Sequence, residues 1–334
     1  MAKEYDLVAI GDIVVDEFIR LKEAEVHCKS KEDCELCMRF ADKIPYENVW
    51  VVPAVGNAPN AAAAAARLGL KTALVTNLGD DIQGKQCLDA LDKNGVTREF
   101  VKVHTGIKTN YHYVLWYEDD RTILIKHEHY PYALPDIGTP KWVYFSSVVD
   151  VAYPYHEALV DHLVQHPEIK FAFQPGKFEI RLGAAKLARL YARVDAFFCN
   201  KEEAEKILGL GNGTDIQILL RGIRALGPKI VVITDGPRGG YVYEEERMWQ
   251  MPIYPDPKPP YERTGAGDAF SSTFASVLCM GLDIETALKW APINAMGVVQ
   301  EVGAQAGLLT QEKIKEYLAQ APADYQPKLI TNNL

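Results

Sequence analysis

Short apolar runs that alternate with helix-forming stretches constrain this chain more than any other feature. Residues 6–10 (D-L-V-A-I), 142–145 (W-V-Y-F), 170–173 (K-F-A-F) and 229–234 (K-I-V-V-I-T) read as strands, and the segments between them read largely as helices. That order argues for repeated βα units and a mostly parallel sheet, an α/β fold. At 334 residues, with 48% hydrophobic and 24% charged residues, the chain is large enough for a single three-layer core. Length alone would allow two domains, but no long linker interrupts the pattern.

Residues 263–270, R-T-G-A-G-D-A-F, carry the chemistry. Gly265, Ala266 and Gly267 let the backbone approach a ligand closely, and the apolar helix that follows aims its unpaired N–H groups at the same spot. Such a place binds anions. A carboxylate beside a bound phosphate opposes simple anion binding, so Asp268 in the first turn reads as a base. Transfer of a phosphoryl group to a hydroxyl needs both parts: preorganised donors for the phosphoryl oxygens and one carboxylate that orients the hydroxyl and takes its proton. A helix N-terminus favours the charged form of Asp268, which makes it a weak base whose work is mostly orientation. The plainer alternative is a Gly-rich helix entry with Asp268 as a capping carboxylate.

The octet resembles the signature of the ribokinase-like (PfkB) family of sugar and nucleoside kinases, and the resemblance extends along nearly the whole chain. It implies a three-layer αβα fold with a mostly parallel central sheet and a small β lid, formed here from about residues 17–54 and 106–130 of one kinase domain spanning 1–334. It also implies ATP as donor and Mg2+ as cofactor, with Asp268 as base and Gly265, Ala266 and Gly267 as anion hole. The family signature begins Asp-Thr where this chain has Glu262 and Arg263. The family's Asp helps hold a monovalent cation, so the departure weakens the expectation of K+ activation.

On the acceptor side, the strand at 6–10 leads to Gly11-Asp12 and then Asp16, where the pattern places a carboxylate that grips substrate hydroxyls. Residues 55–69, V-G-N-A-P-N-A-A-A-A-A-A-R-L-G, are similar to the family's Gly-Gly-x-x-x-Asn segment, with Gly56 and Asn60 as substrate-binding positions. The six alanines form a strong helix, stopped at Leu68-Gly69. The G-D-D-I-Q-G turn at 79–84 reads as structural.

On the nucleotide side, Asn200 and Glu203 match Asn-x-x-Glu. They share a face at a helix entrance and can organise magnesium-bound waters, or they can simply form a capping box. Thr234, Gly236 and Gly239, in T-D-G-P-R-G-G, resemble the adenine-nucleotide loop. In W-A-P-I-N-A-M-G at 290–297, small residues let a helix lie under the adenine, with Asn294 as a candidate edge contact. In F-A-F-Q-P-G-K at 171–177, Gln174 and Gly176 stand where many relatives carry an acid and an amide near the donor.

A net charge of −9 without a Lys/Arg-rich block argues against nucleic acid as a partner. No stretch approaches 18 uninterrupted apolar residues and the first 20 are rich in acids, so neither a membrane span nor a secretory signal is expected and the cytoplasm is the default. Cys28, Cys34 and Cys37 cluster in a lid insertion. Without a second ligand pair they read first as reduced thiols, with zinc or a labile disulfide as alternatives. Trp50, Tyr111, Tyr113 and Trp116 either line the acceptor pocket or bury a lid-to-lid homodimer interface. Lys29, Lys31, Arg39 and Lys43 read as a solvated lid face.

The expected activity is phosphorylation of a sugar or sugar acid, with an adenosine-type nucleoside as the alternative acceptor. A noncatalytic nucleotide sensor would be expected to lose Asp268 or the anion hole. A dinucleotide oxidoreductase would show G-x-G-x-x-G after the first strand, and G-D-I-V-V-D stands there instead.

Overall fold

The structure, a computed structural model, describes residues 4–30, 33–118, 120–149 and 152–330. Ten strands form one sheet. Its parallel part runs, in spatial order, through β13 (Ile230–Thr234), β12 (Ala196–Asn200), β11 (Lys170–Phe173), β10 (Trp142–Phe145), β1 (Leu7–Ile10), β6 (Thr72–Gly79) and β7 (Val101–His104). Beyond β13, the antiparallel β14 (Gly240–Glu244), β15 (Arg247–Met251) and β16 (Lys328–Leu329) complete the edge.

The alternation along each strand divides the core in two. Leu7, Ala9, Tyr144 and Phe198 point to a layer containing α1 (Asn57–Arg67), α2 (Ile82–Lys93), α8 (Ala266–Cys279), α9 (Ile284–Val298) and α10 (Gln311–Ala319). Val8, Ile10, Phe145, Phe171 and Phe197 point to the other layer, which holds α3 (Tyr153–Gln165), α5 (Ala188–Arg193), α6 (Lys201–Leu208) and α7 (Ile216–Ala225); the short α4 (Lys177–Leu182) follows β11. A strand covered on both faces has no place for polar alternation, which is why these runs are continuously apolar.

A second sheet, in the order β5 (Tyr46–Val55), β2 (Val14–Leu21), β8 (Tyr111–Tyr117), β9 (Asp120–Lys126), stands off the core as a lid. Its β2 begins three residues ahead of the expected lid boundary. Asp16, Phe18, His112, Val114 and Trp116 share its inner face, and Glu17, Ile19, Tyr111 and Tyr113 its outer face. Tyr111 and Tyr113 therefore do not line a pocket under the lid. Trp116 is buried, its ring 5.7 Å from Trp50 and 5.4 Å from Tyr261, with the Arg20 guanidinium 4.3 Å above it.

The lid insertion is a hairpin of β3 (Glu25–Ser30) and β4 (Asp33–Cys37). Cys28 and Cys34 lie directly opposite in it and form a disulfide, which corrects the expectation of reduced thiols. Sequence spacing does not reveal a hairpin register, so it could not show that these two residues face each other. Lys29 pairs with Glu35 and Arg39 with Asp42 on exposed surface, as a solvated face would; Lys31 lies outside the described residues. Cys37 is partly exposed, whereas Cys87, Cys199 and Cys279 are buried, with burial pushing the Cys87 and Cys279 thiols up to about 12. Alkylation of the native protein, read by mass, is therefore expected to modify Cys37 alone, and prior reduction to expose Cys28 and Cys34 as well. Three modified thiols before reduction would contradict the disulfide.

Candidate active site

Two helix N-termini meet at the site. Gly56 caps α1 with φ 117°, and a Cβ there would sit 2.8 Å from the Asp12 carbonyl oxygen. Gly265 caps α8 in the left-handed region at φ 83°. Ala63 and Ala64 of α1 and Ala269 of α8 pack together in one small cluster, closed off by Val298 and Leu308. The alanine run is thus more than a helix former: it lets α1 approach α8 until side chains at the two entrances touch.

The touching pair is Asn60 and Asp268. Asn60 Nδ2 donates to Asp268 Oδ2 at 2.7 Å, and Gln174 Nε2 donates to Asp268 Oδ1 at 2.9 Å. Gln305 Nε2 donates to Asn60 Oδ1 at 2.9 Å, so the Asn60 amide, expected to grip substrate, is here committed to Asp268 and Gln305. Burial pushes the Asp268 carboxyl above its ordinary value; the Asn60 and Gln174 bonds pull it down, and the Asp16 charge adds to the rise. This corrects the expectation that the helix N-terminus dominates. Removal of water makes the Asp268 carboxyl easier to protonate than its place at a helix entrance alone suggests.

Asp16 lies on the inner face of β2, buried, with its Oδ1 3.2 Å from His112 Nδ1 but without a hydrogen-bond partner. His112 Nε2 meets His127 Nε2 at 3.2 Å, His127 Nδ1 lies 3.2 Å from Asp12 Oδ2, and the Tyr132 hydroxyl donates to Asp12 Oδ1 at 2.6 Å. This chain ties the lid carboxylate to the loop after β1. The sequence reading did not assign His112 a role, although its place in Y-H-Y-V-L-W-Y, in step with Val114 and Trp116, was a usable signal. Nothing in the sequence pointed to Gln305.

On the far side of Asp268, a cleft of about 470 Å³ is lined by Thr234, Gly236, Gly239, Ala266 and Gly267 together with Arg263. Five residues from two distant segments, expected to bind nucleotide phosphates, are thus brought together. Pro292, Ala295, Met296 and Val299 form its apolar wall. Asn294 is not in that wall. It is fully buried, donates from Nδ2 to Thr273 Oγ1 at 2.7 Å and accepts at Oδ1 from Leu309 N–H at 2.8 Å, so it braces α9 and cannot serve as an adenine edge contact.

Asn200 and Glu203 form the capping box: Asn200 Oδ1 accepts from Glu203 N–H at 2.8 Å, and Glu203 Oε2 accepts from Asn200 N–H at 2.9 Å. Burial raises the Glu203 carboxyl, and the Asp268 charge raises it further. Glu262 is buried, with its Oε1 accepting from Thr264 N–H at 2.7 Å and from the Thr264 hydroxyl, and Arg121 Nε of β9 lies 3.9 Å away.

A glycine-capped helix entrance, a buried carboxylate in its first turn and a nucleotide-sized cleft thus sit together on an αβα core beneath a lid sheet. Residues 23–311 match the pfkB family carbohydrate kinases, and the chain belongs to that family. Among curated relatives, it is 26% identical to a nucleoside kinase of Methanothermobacter thermautotrophicus, over 79% of this chain and 84% of that one. It is 25% identical to a 5-dehydro-2-deoxygluconokinase of Bacillus velezensis, over 95% of each chain. Arabidopsis thaliana ribokinase, solved in complex with ribose and ATP, superposes with a TM-score of 0.76 at 22% identity, over 95% of this chain and 99% of that one.

The two anion-hole glycines serve different ends. A Cβ on Gly265 would lie 2.2 Å from the Ala304 Cβ at a left-handed φ, whereas a Cβ on Gly267 meets nothing within 4 Å. Gly265→Ala is expected to cost about 1–3 kcal/mol from backbone strain alone, with overlap adding to it. Gly267→Ala should melt like the wild type while weakening nucleotide binding. Thermal melts with and without nucleotide distinguish the two; equal destabilisation by both would contradict this division.

Proposed function

We propose that the chain transfers the γ-phosphoryl group of ATP to a primary hydroxyl of an unphosphorylated sugar or sugar acid. The observation that carries the reading is Asp268: a buried carboxylate held by two amides at the N-terminus of α8, between the nucleotide-sized cleft and Asp16. The unpartnered Asp16 Oδ1 is suited to accept a hydrogen bond from an acceptor hydroxyl. The reacting hydroxyl gives its proton to Asp268 as its oxygen bonds to the γ-phosphorus, and the bond from that phosphorus to the β-phosphate oxygen breaks, leaving ADP. The N–H groups of residues 265–267 hold the charge on the migrating oxygens. The lid keeps water, a competing acceptor, from the reaction.

Glu203 suits Mg2+ held through water, since a cation relieves the repulsion between its carboxylate and Asp268; Asn200 presents only an amide donor once its oxygen is used in the cap. Magnesium would neutralise phosphate charge there. Thr264 engages Glu262 Oε1 and Arg121 faces it, while Glu262 Oε2 is buried without a hydrogen-bond partner, so dependence on K+ is decided by assaying turnover with and without that ion.

A sugar acid is supported by the end-to-end likeness to 5-dehydro-2-deoxygluconokinase. The nucleoside alternative draws on the likeness to nucleoside kinase, but the aromatic slot it needs is poorly supplied, with Trp116 packed on Tyr261 and with Tyr111 and Tyr113 on the outer face of the lid. That outer face exposes Val51, Tyr113 and Leu124 in one cross-strand row, which supports a homodimer in which two lids pair. Leu124→Lys is then expected to shift the sedimentation coefficient toward that of a monomer; a wild type that already sediments as a monomer would exclude the dimer. The cytoplasm remains the proposed location.

Asp268→Asn is expected to fold and bind nucleotide but lose roughly 10²-fold to 10⁴-fold in turnover, the contribution of a positioned acid/base group. Because Asp268 acts ionised and its carboxyl is raised, wild-type activity should fall with decreasing pH at a value above the ordinary carboxylate pKa of about 3.9. A panel of pentoses, hexoses, sugar acids and nucleosides with ATP and Mg2+ identifies the acceptor. Turnover confined to nucleosides would remove the sugar reading, and near-normal turnover by Asp268→Asn would remove the base.

A further inference from the structure

We propose that Gln174 is a positioning residue for the base: it holds Asp268 ionised and correctly aimed, and the Tyr144 hydroxyl fixes which way the Gln174 amide faces. This rests on the reading of Asp268 as the base of a kinase. An amide can present either its oxygen or its NH2 to a neighbour, and only the NH2 suits a carboxylate. The hydrogen bonds at the two ends of the amide set the choice together. Tyr144, fully buried and stacked on Phe198, donates its hydroxyl to Gln174 Oε1. With that oxygen occupied, Nε2 is left to face Asp268 Oδ1 at 2.9 Å.

The same device stands on the other side. Gln305 Nε2 occupies Asn60 Oδ1, so Asn60 Nδ2 faces Asp268 Oδ2, and Gln305 is itself turned by Asn94, whose Nδ2 donates to Gln305 Oε1 at 2.9 Å. Two relays of donors, one from Tyr144 in the core and one from Asn94 at the end of α2, therefore end on the two oxygens of one carboxylate. Both ends present N–H, so the bracket fits the carboxylate. A protonated Asp268 would weaken both bonds, because a neutral carboxyl oxygen accepts less strongly than a charged one.

The bracket has something to oppose. Burial and the charge of Asp16 on β2 drive Asp268 toward its neutral form; Glu203 on α6 is the other acid facing it, and Tyr144 on β10 is the nearby phenol. An acid at position 174, where many relatives carry one, would add to that drive, and the neutral donor in this chain reverses its sign. The side-chain hydrogen bonds of Gln174 run to Tyr144 and to Asp268. It acts through Asp268.

The test is a carboxyl titration that requires no turnover. Full-length protein labelled with ¹³C at the Asp side-chain carboxyl is titrated by NMR, with Asp268→Asn identifying the Asp268 signal. In Gln174→Leu the midpoint should rise by about one to two units, the loss of one hydrogen bond to a charged group. In Gln174→Glu it should rise further, because two carboxylates in contact do not both ionise. Tyr144→Phe, which leaves position 174 intact, should raise it less, since the amide is then free to turn. The acid limb of kcat/KM should move with the midpoint while binding of a fluorescent ATP analogue stays unchanged, a combination that general structural damage does not give. A midpoint that stays put in both Gln174 variants and in Tyr144→Phe overturns the proposal. A midpoint that moves supports it even if the wild type phosphorylates no acceptor, a result that would overturn only the kinase reading.

Discussion

The close approach of α1 to α8 is the contact on which the site depends. Helix axes separate to about 8–10 Å according to the side chains between them, and alanines set the lower end of that range. Here Ala63, Ala64 and Ala269 occupy the interface. An amide-to-carboxylate hydrogen bond tolerates only a few tenths of an ångström of drift. A larger side chain in that seam would separate Asn60 from Asp268 without touching either residue. The alanine run thus belongs to the catalytic apparatus as much as to the core.

Charge explains why the base needs so much support. The chain carries a net charge of −9, and three carboxylates, Asp16, Glu203 and Asp268, converge where an anionic nucleotide must also bind. Local positive potential comes from the N-termini of α1 and α8 and from Arg263 at the edge of the cleft. Asp268 is met by two amide donors rather than by a neighbouring cation. That choice keeps the base charged without pairing it to a group that would compete with the acceptor.

The lid sheet is joined to the core by side chains as well as by its strands. Asp16 lies on a lid strand, and the His112–His127 contact connects it to Asp12 on the core. Trp116 packs on Tyr261 and Arg121 approaches Glu262, so the lid also rests on the segment that leads into the anion hole. Lid position and anion-hole geometry are mechanically linked through these contacts, which suits a reaction that must assemble donor and acceptor before proton transfer.

The sequence by itself determined the layered α/β fold, because strands buried on both faces leave uninterrupted apolar runs that no other element accommodates at that length. It also marked Gly265, Ala266, Gly267 and Asp268 as one unit at a helix entrance, since the four are contiguous and a contiguous motif carries its own geometry. Tertiary structure alone decided what surrounds Asp268. Gln174, Asn60 and Gln305 come from three distant segments, and their amides look alike in sequence whichever way they turn. It likewise moved Asn294 from the nucleotide cleft to a brace within the core, and paired Cys28 with Cys34 through a hairpin register. Local spacing encodes contacts within an element; which distant donor ends on which oxygen is set only when the elements pack.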